Sequence, residues 1–504
     1  MLIKTWRRHI AHSGTMHSDT TPAITEELLR RFDVAGPRYT SYPTADRFTP
    51  AFAVGDLSTA LRGAAASTEA LSLYLHIPFC ESVCYYCACN KIVTRQHGRA
   101  AEYLDALEQE IALVVAQIGS GHAVSQLHFG GGTPTFLSDA ELSRLMAALR
   151  LAFRFTPDAE LAIEVDPRTV DAARLRHLKD LGLNRLSLGV QDFDPEVQRA
   201  VHREQSFESV RALMHSAREL GFESINLDLI YGLPLQTVAS FARTIAQVGE
   251  LRPDRIAAYA YAHLPQRFKP QRRIAASQIP AADVKLKMQA QAIAALRGLG
   301  YVDIGMDHYA LPGDALAVAR REGRLHRNFQ GYSTQSDRDL IALGVSAISR
   351  VGNTYSQNAK SLPEYYAALR AGRLPLERGL TLSAEDRLRR DVIMALMCQG
   401  RVEFAAVRAA HGVDFRTHFA GELQRAATLE SDGLLRLEPQ ALQLTPLGWA
   451  FVRGVAMLFD EHLQAAQRAQ AAKAVARPAH GEPAMSVEAA DEGTEQRVQF
   501  SRIV

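Results

Sequence analysis

The chain has 504 residues, of which 47% are hydrophobic and 22% charged, and its formal net charge is only +2. This length suits two or three domains, and the composition is that of an ordinary globular protein. Proteins that bind nucleic acids need clustered basic charge, so the near-neutral balance argues against a nucleic-acid partner. Because no apolar stretch approaches the ~20 residues that cross a bilayer, we also expect no membrane span.

The N-terminal segment, MLIKTWRRHIAHSG, is basic but lacks the apolar run of a secretory signal. We interpret it as a short disordered leader, or as sequence upstream of a true start at Met16, and a transit peptide is the alternative. Towards the other end, residues 464–496 are rich in Ala, Glu and Gln, a composition that predicts disorder or a frayed helix. The final QFSRIV is apolar and basic, and we expect it to dock as a tail.

From residue 71 onward, short apolar runs alternate with amphipathic helical segments. The runs are LSLYLHIP (71–78), QLHFGG (126–131), LAIEVDP (161–167), RLSLGVQ (185–191), SINLDLIYG (224–232) and RIAAYAYAH (255–263). Such alternation predicts βαβ units and a parallel sheet in an α/β protein. Six repeats favour a partly closed (β/α)6 barrel, and a doubly wound open sheet is the alternative. In both folds, chemistry belongs at the carboxyl ends of the strands.

Polar and glycine residues stand where these runs end. They are Gly130-Gly131-Gly132-Thr133, Glu164, Asp166, Gln191, Asp192, Asp228 and His263. One polar residue after a strand is usually a helix cap or a satisfied turn residue. Five strands that all end in this way predict a ring of ligand-binding groups.

The sequence changes character between about residues 380 and 460. Helical segments (AEDRLRRDVIMALMC, FAGELQRAATLESDG) precede LLRLEPQALQLTPLG, which fits a short hairpin before a closing helix. This is the pattern of a winged-helix-like domain. Because the stretch is not strongly basic, we expect a structural or substrate-covering domain and not a DNA-binding one.

Four of the five cysteines lie within ten residues: Cys80, Cys84, Cys87 and Cys89. A disulfide scaffold would spread its cysteines along the chain, so this clustering predicts a metal or cluster site in a reducing, cytoplasmic compartment. Structural zinc sites use well-separated pairs, and bacterial ferredoxins use a different spacing. The Cys-x3-Cys-x2-Cys run fits three corners of a [4Fe–4S] cluster whose fourth iron is left open. Cys398 stands alone in an apolar helix, where we expect a core residue.

This run resembles that of the radical S-adenosylmethionine superfamily, and longer stretches resemble the family of oxygen-independent coproporphyrinogen III oxidases. The stretches are PRYTSYPTADRF (37–48), HIPFCESVCYYCACNKIVTR (76–95), HFGGGTPT (128–135), IEVDPR (163–168), LGVQDF (188–193), INLDLIYGLP (225–234), YAHLP (261–265) and LHRNFQGYSTQ (325–335). The resemblance runs from about Pro37 to about His462 and resumes in the QFSRIV tail. It implies a catalytic barrel at 37–375, a C-terminal helical domain at 376–463 that covers the barrel mouth, a leader segment at 1–36 and a flexible insert and tail at 464–504.

The resemblance also implies an activity and its cofactors. The family decarboxylates the ring A and B propionates of coproporphyrinogen III to vinyl groups, giving protoporphyrinogen IX. It is described as holding one [4Fe–4S] cluster and two molecules of S-adenosylmethionine. The cofactors carry the radical chemistry, while the protein positions them and excludes competing reactions. We further expect a small electron-transfer protein as reductant and a monomeric enzyme.

Carried over by motif, the resemblance implies that Cys80, Cys84 and Cys87 ligate the cluster. The implied contacts of the first S-adenosylmethionine are Tyr74, Gly131, Glu164 and Ile348. Those of the second are Tyr86, Gly132, Thr133, Gln191, Arg203, Asp228 and Ala262. Tyr86 departs from the family pattern, in which the aromatic is often Phe. Without the resemblance, Arg203 would be interpreted as a surface salt-bridge residue. The amides and carbonyls of the glycine turn are expected to meet the methionine end of the cofactor.

Cys89 follows the run by two residues and is a candidate accessory group, because three cysteines already supply the cluster. A related branch of haem chaperones is similar through the barrel but typically lacks this fourth cysteine and the PRYTSYPT segment. Both features are present here. They favour the oxidase over the alternative of a haem chaperone without decarboxylase activity.

Overall fold

The computed structural model describes residues 26–32, 36–335 and 338–475. The expectations for the leader and for the QFSRIV tail lie outside the described residues. The described residues fall into two compact units, Arg47–Ala384 and a second made of the segments up to Asp46 and from Glu385 onward. The domain boundaries inferred from the resemblance remain predictions. No helix in the described part of the chain is long and apolar enough to cross a bilayer.

After a short helix α1 (Glu26–Phe32), the larger unit contains sixteen strands and ten α-helices among its described residues. The strands are β1 Leu71–Ile77, β2 Phe79–Cys80, β3 Ile92–Val93, β4 His122–Gly131, β5 Phe153–Val165, β6 Arg185–Gln191, β7 Ser224–Tyr231, β8 Arg255–Ala260, β9 Val302–Gly305, β10 His308–Ala310, β11 His326–Asn328, β12 Gly331–Ser333, β13 Leu340–Leu343, β14 Ile348–Val351, β15 Thr354–Asn358 and β16 Leu376–Thr381. The helices are α2 Val54–Ala65, α3 Arg99–Ile118, α4 Asp139–Ala152, α5 Ala172–Asp180, α6 Pro195–Ala200, α7 Phe207–Glu219, α8 Val238–Leu251, α9 Ala282–Gly298, α10 Ala315–Arg321 and α11 Leu362–Arg370.

The six strands predicted from the sequence are β1 and β4 to β8, and they lie side by side in chain order as parallel neighbours. Right-handed crossovers that always step in one direction put every connecting helix on the same face of the sheet. A doubly wound sheet needs a reversal of strand order, which these strands lack. The predicted barrel is therefore confirmed. It is only partly closed, because the edge strands β16 and β9 do not pair with each other in the described sheet.

The sequence did not predict the two flanks of this sheet. Strand β13 returns from residue 340 to pair in parallel with β1, and β14, β15 and β16 continue from it as antiparallel strands. At the other edge, β10 pairs antiparallel with β8 and with β9. These pairings join segments that are distant in the chain, so local periodicity carries no signal for them.

Alternation along the parallel strands decides what the two faces of the sheet present. In β6 (RLSLGVQ), Leu186, Leu188 and Val190 are buried and alternate with polar or small residues that are only half-buried. Successive side chains of a strand point to opposite faces, so the apolar set packs under the helices and the polar set lines the barrel interior. The sequences of parallel strands are usually continuous apolar runs, because both faces of such strands are covered by apolar groups. The polar inner face therefore indicates that the barrel interior is a cavity with a polar lining.

The second unit is mainly helical. Its helices are α12 Ala384–Gln399, α13 Phe404–His411, α14 Phe415–His418, α15 Ala420–Ser431, α16 Pro446–Ala450, α17 Val452–Ala456 and α18 Glu461–Val475. Strands β17 (Arg401–Glu403), β18 (Leu435–Leu437) and β19 (Ala441–Leu444) form a small antiparallel sheet with β19 in the centre. The predicted hairpin is confirmed as β18 and β19. Cys398 is buried, as predicted.

The PRYTSYPT segment packs within this second unit. Tyr39 donates a hydrogen bond to Asp460 at 3.0 Å, and Arg453 donates to the carbonyl of Pro37 at 3.2 Å. Both Tyr39 and Asp460 are fully buried. The region predicted as disordered or frayed begins as helix, since α18 continues to Val475, and its remaining residues lie outside the description.

Candidate active site

The four clustered cysteines lie on a loop that begins where β1 ends. Strand β2, which contains Cys80, pairs with β3 and closes the base of the loop. The amide of Thr94 donates to the carbonyl of Cys80 at 2.9 Å, and that of Ile92 donates to Pro78 at 2.7 Å. The loop is therefore held at the carboxyl edge of the parallel strands, where the fold places chemistry.

The cysteines differ in their surroundings. Cys80 and Cys84 are buried, Cys87 is half-buried and Cys89 is exposed, and all are free thiols. Burial, with smaller contributions from Cys87 and Cys84, raises the pKa of Cys80 to about 11. A hydrogen bond with Cys89 lowers the pKa of Cys87 to about 5. The sulfurs are thus close enough to influence one another, and Cys89 lies beside Cys87.

These thiols fit a cluster better than a single ion. Within the described ranges, no three His, Cys, Asp or Glu side chains converge on one point as ligands of a single metal. In a cubane each cysteine ligates a different iron, so the sulfurs need not converge. Thr133 donates to the Cys80 sulfur at 3.4 Å and Arg203 donates to the Cys84 sulfur at 3.3 Å. Each of these two sulfurs therefore has a hydrogen-bond donor beside it.

The glycine turn packs tightly against the start of the cysteine loop. Gly131 has φ of +113°, and a Cβ added there would lie 2.7 Å from the His76 ring. The amides of Gly132 and Thr133 donate to the carbonyls of Ile77 and Phe79, each at 2.8 Å. The amide of Gly131 donates to Glu164 at 3.2 Å. These amides are used within the protein, and the glycines allow contact with the protein's own backbone and rings. The contacts expected between the turn and a cofactor remain a prediction.

A first polar cluster lies on the inner face of β1, β4 and β5. Tyr74 and His128 are register partners, and their rings stack with centroids 5.9 Å apart. His128 lies 3.2 Å from a carboxylate oxygen of Glu164. Desolvation raises the pKa of Glu164, but the bonds from His128 and the Gly131 amide outweigh it, and the net pKa is lowered. Glu164 is therefore an ionised acceptor at neutral pH.

A second polar cluster lies on the neighbouring strands β6 and β7, where Ser187 is the register partner of Glu164. Asp228 accepts hydrogen bonds from Ser187 at 3.1 Å and from Asn226 at 2.8 Å. Burial, reinforced by the charge of Glu164, raises the pKa of Asp228 to about 6. The two carboxylates, Glu164 and Asp228, thus face the same interior, as the resemblance implied.

A third cluster joins the barrel to the cysteine loop. Arg203 donates to the carbonyl of Gly189 at 3.0 Å, to Asp166 at 3.2 Å and to Cys84. Only 7% of Arg203 is exposed, so its interpretation from the residue alone as a surface salt-bridge residue is wrong. Arg168 forms a two-bond ion pair with Asp166 and also reaches Cys84.

Two polar residues at the carboxyl end of β6 differ in their surroundings. Gln191 has φ of +71°, a left-handed conformation that non-glycine residues rarely adopt. The next residue, Asp192, is only 1% exposed and accepts hydrogen bonds from Thr244 and Gln236. The prediction that Asp192 belongs to the ligand-binding ring is therefore wrong, because its carboxylate is occupied in holding the turn to the middle of α8 and to the loop before that helix.

The remaining predicted contacts lie in two places. Gln271 donates to the carbonyls of Tyr86 at 2.9 Å and Ala262 at 3.2 Å, which brings the cysteine loop and the end of β8 together. The Nδ1 atom of His263 and the hydroxyl of Tyr261 form a hydrogen bond of 2.9 Å. Ile348 is the first residue of β14, two strands away from Tyr74, with β13 between them.

Sequence reasoning missed several residues of the inner face. His128, Ser187, Asn226 and Arg168 were not singled out, although each touches a residue that was. A signal for the first three was available, because polar residues recur at every second position along β4, β6 and β7. Attention to strand ends alone overlooked this period of two.

The fold and the cysteine loop define a radical S-adenosylmethionine domain, and the profile of the Radical SAM superfamily matches residues 74–248. The profile of the HemN C-terminal domain matches residues 382–451. Members of the superfamily use an iron–sulfur cluster and S-adenosylmethionine, so both are cofactors here.

Relatives give a finer assignment. The oxygen-independent coproporphyrinogen III oxidase of Salmonella typhimurium is 50% identical over 88% of this chain and 96% of that protein. That of Escherichia coli is 49% identical over the same shares. A solved structure of Escherichia coli coproporphyrinogen III oxidase, described as a radical SAM enzyme, covers 84% of this chain and 97% of its own with a TM-score of 0.82 and 50% identity. The chain therefore belongs to the family of oxygen-independent coproporphyrinogen III oxidases.

Proposed function

We propose that this protein decarboxylates the ring A and ring B propionates of coproporphyrinogen III to vinyl groups, giving protoporphyrinogen IX for haem biosynthesis. The observation that carries the proposal is the cysteine loop at the carboxyl edge of a barrel with a polar inner face, in a chain of this family. When bound, the cluster and S-adenosylmethionine would supply a 5′-deoxyadenosyl radical able to take a hydrogen atom from the propionate β-carbon. Loss of CO2 and of one electron then completes each vinyl group, so an electron acceptor is required.

Cys80, Cys84 and Cys87 are the proposed cluster ligands. Their spacing, their partial burial and the donors that face two of their sulfurs support this assignment. Three ligands leave one iron for the amino and carboxylate groups of S-adenosylmethionine. Cys89 is exposed beside Cys87, and we assign it an accessory role and not a ligand role.

Two groups of residues are proposed to hold two S-adenosylmethionine molecules. The first group is Tyr74, Gly131, Glu164 and Ile348, and the second is Tyr86, Gly132, Thr133, Gln191, Arg203, Asp228 and Ala262. Support comes from the two inner carboxylates, which can accept hydrogen bonds from ribose hydroxyls or an amino group. Gln271 supports the second group, because it ties Tyr86 to Ala262. The carbonyl of Gly189 and the carboxylate of Asp166 orient the guanidinium group of Arg203. Its Nη1 atom therefore faces the cysteine loop.

The test of the proposed function is anaerobic turnover. Reconstituted protein is incubated with coproporphyrinogen III, S-adenosylmethionine and a one-electron reductant, and porphyrins are separated after oxidation. We expect protoporphyrin, formed through a mono-vinyl intermediate. Cleavage of S-adenosylmethionine with no consumption of the porphyrinogen would overturn the proposed substrate. Haem binding with neither activity would point to the chaperone alternative.

We also propose a small electron-transfer protein as the reductant, a monomeric enzyme and a cytoplasmic location. Clustered free thiols need a reducing environment, which supports the location. A sedimentation experiment on the reconstituted protein tests the oligomeric state, and a dimer at micromolar concentration would contradict it.

A further inference from the structure

Two guanidinium groups face the sulfur of Cys84. The Nη1 atom of Arg203 lies 3.3 Å from the sulfur, and the Nη2 atom of Arg168 lies 3.7 Å from it. The two side chains are 8% and 20% exposed. Arg203 belongs to the contacts already proposed for the second S-adenosylmethionine, but Arg168 has no role in that scheme.

Asp166 determines the position of Arg168. Its Oδ1 atom accepts from the Arg168 Nε at 3.0 Å and its Oδ2 atom accepts from Nη2 at 2.7 Å. The amide of Arg168 also donates to Oδ1 at 3.1 Å, so the carboxylate orients both backbone and side chain. Because Arg203 shares the same Oδ2 atom, two positive charges and one negative charge face the sulfur. The net charge of this group is +1.

A positive group beside a ligating sulfur has a defined effect on an iron–sulfur cluster. The potential of such clusters depends on net charge, on hydrogen bonds to the sulfurs and on solvent exposure. The reduced cluster carries one more negative charge than the oxidised cluster, so N–H donors and positive charge at the sulfur stabilise the reduced form more. Burial strengthens this effect, since charges away from bulk water are screened less.

Arg168 also borders a small cavity. The cavity has a volume of about 190 Å³, and its lining includes Cys80, Thr135, Asp166 and Arg168. The buried hydroxyl oxygen of Thr135 has no protein partner there. Several of the lining side chains carry polar atoms, and the cavity is large enough for water. A neutral side chain at 168 would therefore extend a hydratable space, and we expect such variants to fold.

We propose that Arg168 is a positioning residue that acts through Cys84 and, together with Arg203, raises the reduction potential of the cluster. This inference rests on the proposed function, since it requires the cluster on Cys84. Its consequence is that Arg168 controls how readily the resting enzyme accepts the electron that starts each turnover.

The test is the midpoint potential of the cluster in anaerobic redox titrations followed by electron paramagnetic resonance. Arg168→Met removes the charge and the donor at similar length, and we expect about a tenfold lower ratio of reduced to oxidised cluster at a fixed potential. For a one-electron couple this corresponds to a midpoint lower by about 59 mV. Arg168→Lys keeps the charge and should recover more than half of the shift. The matched control is Arg243→Met, an exposed arginine on α8 that pairs with Asp194 and contacts no described cysteine.

The outcomes separate the two proposals. A wild-type protein that assembles no cluster after reconstitution would overturn the proposed function and this inference with it. A wild-type cluster together with an Arg168→Met potential no lower than that of Arg243→Met would overturn this inference alone. If Arg168→Met does not retain its cluster, Arg168→Gln replaces it, because Gln can still bond to Asp166. A potential for Arg168→Gln equal to that of the wild type would equally contradict the inference.

Discussion

Two buried carboxylates of the barrel unit differ in the charge of their hydrogen-bond partners. Asp166 is met by Arg168 and Arg203, whereas Glu110 on α3 is met by the neutral donors Tyr365, Asn358 and the amide of Gly344. Burial raises the pKa of both, but the arginines reverse the effect at Asp166 and lower its pKa. At Glu110 burial prevails, and the pKa rises to about 7.

The two groups have different roles, one at the cofactor site and one in holding the fold together. The Asp166 group directs charge at the cysteine loop, while the Glu110 group joins α3, α11 and the turn after β13. The polar clusters near the cysteines are thus expected to affect cofactor binding with little effect on stability. The cluster around Glu110 is expected to affect stability with little effect on cofactor binding.

The largest expected effect is that of a cluster ligand. Cys84→Ala should abolish the cluster and its broad absorption near ~400 nm, because one iron corner loses its ligand. Activity should vanish with it. Cys398→Ala, which removes a buried cysteine of the second unit, is the control and should retain the absorption. A full iron content in Cys84→Ala would contradict the ligand assignment, and the Asp166 group would then not lie beside a cluster ligand.

The next effect is on cofactor binding. Asp228→Asn removes a charged acceptor that Ser187 and Asn226 hold in place, and hydrogen bonds to charged groups contribute roughly 1.5–3 kcal/mol. Equilibrium dialysis should therefore show one of two S-adenosylmethionine sites weakened by about tenfold or more. The unfolding midpoint in urea should hardly move. Unchanged binding at both sites would remove Asp228 from the proposed set.

The third effect concerns pH and Glu110, and it is confined to stability. Its folded pKa of about 7 lies above its ordinary value of 4.5, so the folded state holds the proton more tightly. The resulting stability is complete below about pH 4.5 and is lost as pH rises towards 7. Each unit of difference corresponds to 1.36 kcal/mol, so the loss is at most about 3 kcal/mol.

The measurement is urea unfolding of the cluster-free protein between pH 5 and pH 8. Glu110→Gln should flatten the decline between pH 5 and pH 7 relative to the wild type. The affinity for S-adenosylmethionine should not change in this variant. Parallel pH profiles for the two proteins would show that Glu110 titrates normally, and the contrast with Asp166 would then fail.

The barrel strands could be predicted because each is a local apolar run with turn signals on both sides. The cysteine loop could be predicted because its spacing is a property of consecutive residues. Strand β13 could not, since its place beside β1 depends on pairing across more than two hundred residues. The burial of Arg203 and the structural use of Asp192 also depend on tertiary partners, which no local pattern displays.

Under the proposed function, the polar inner face of the barrel presents coproporphyrinogen III to a radical generated beside the cysteine loop. The most direct measurement uses substrate deuterated at the propionate β-carbons and mass analysis of the 5′-deoxyadenosine formed. We expect deuterium to appear in 5′-deoxyadenosine in step with vinyl-group formation. Unlabelled 5′-deoxyadenosine, with all the deuterium retained in the porphyrinogen, would contradict it.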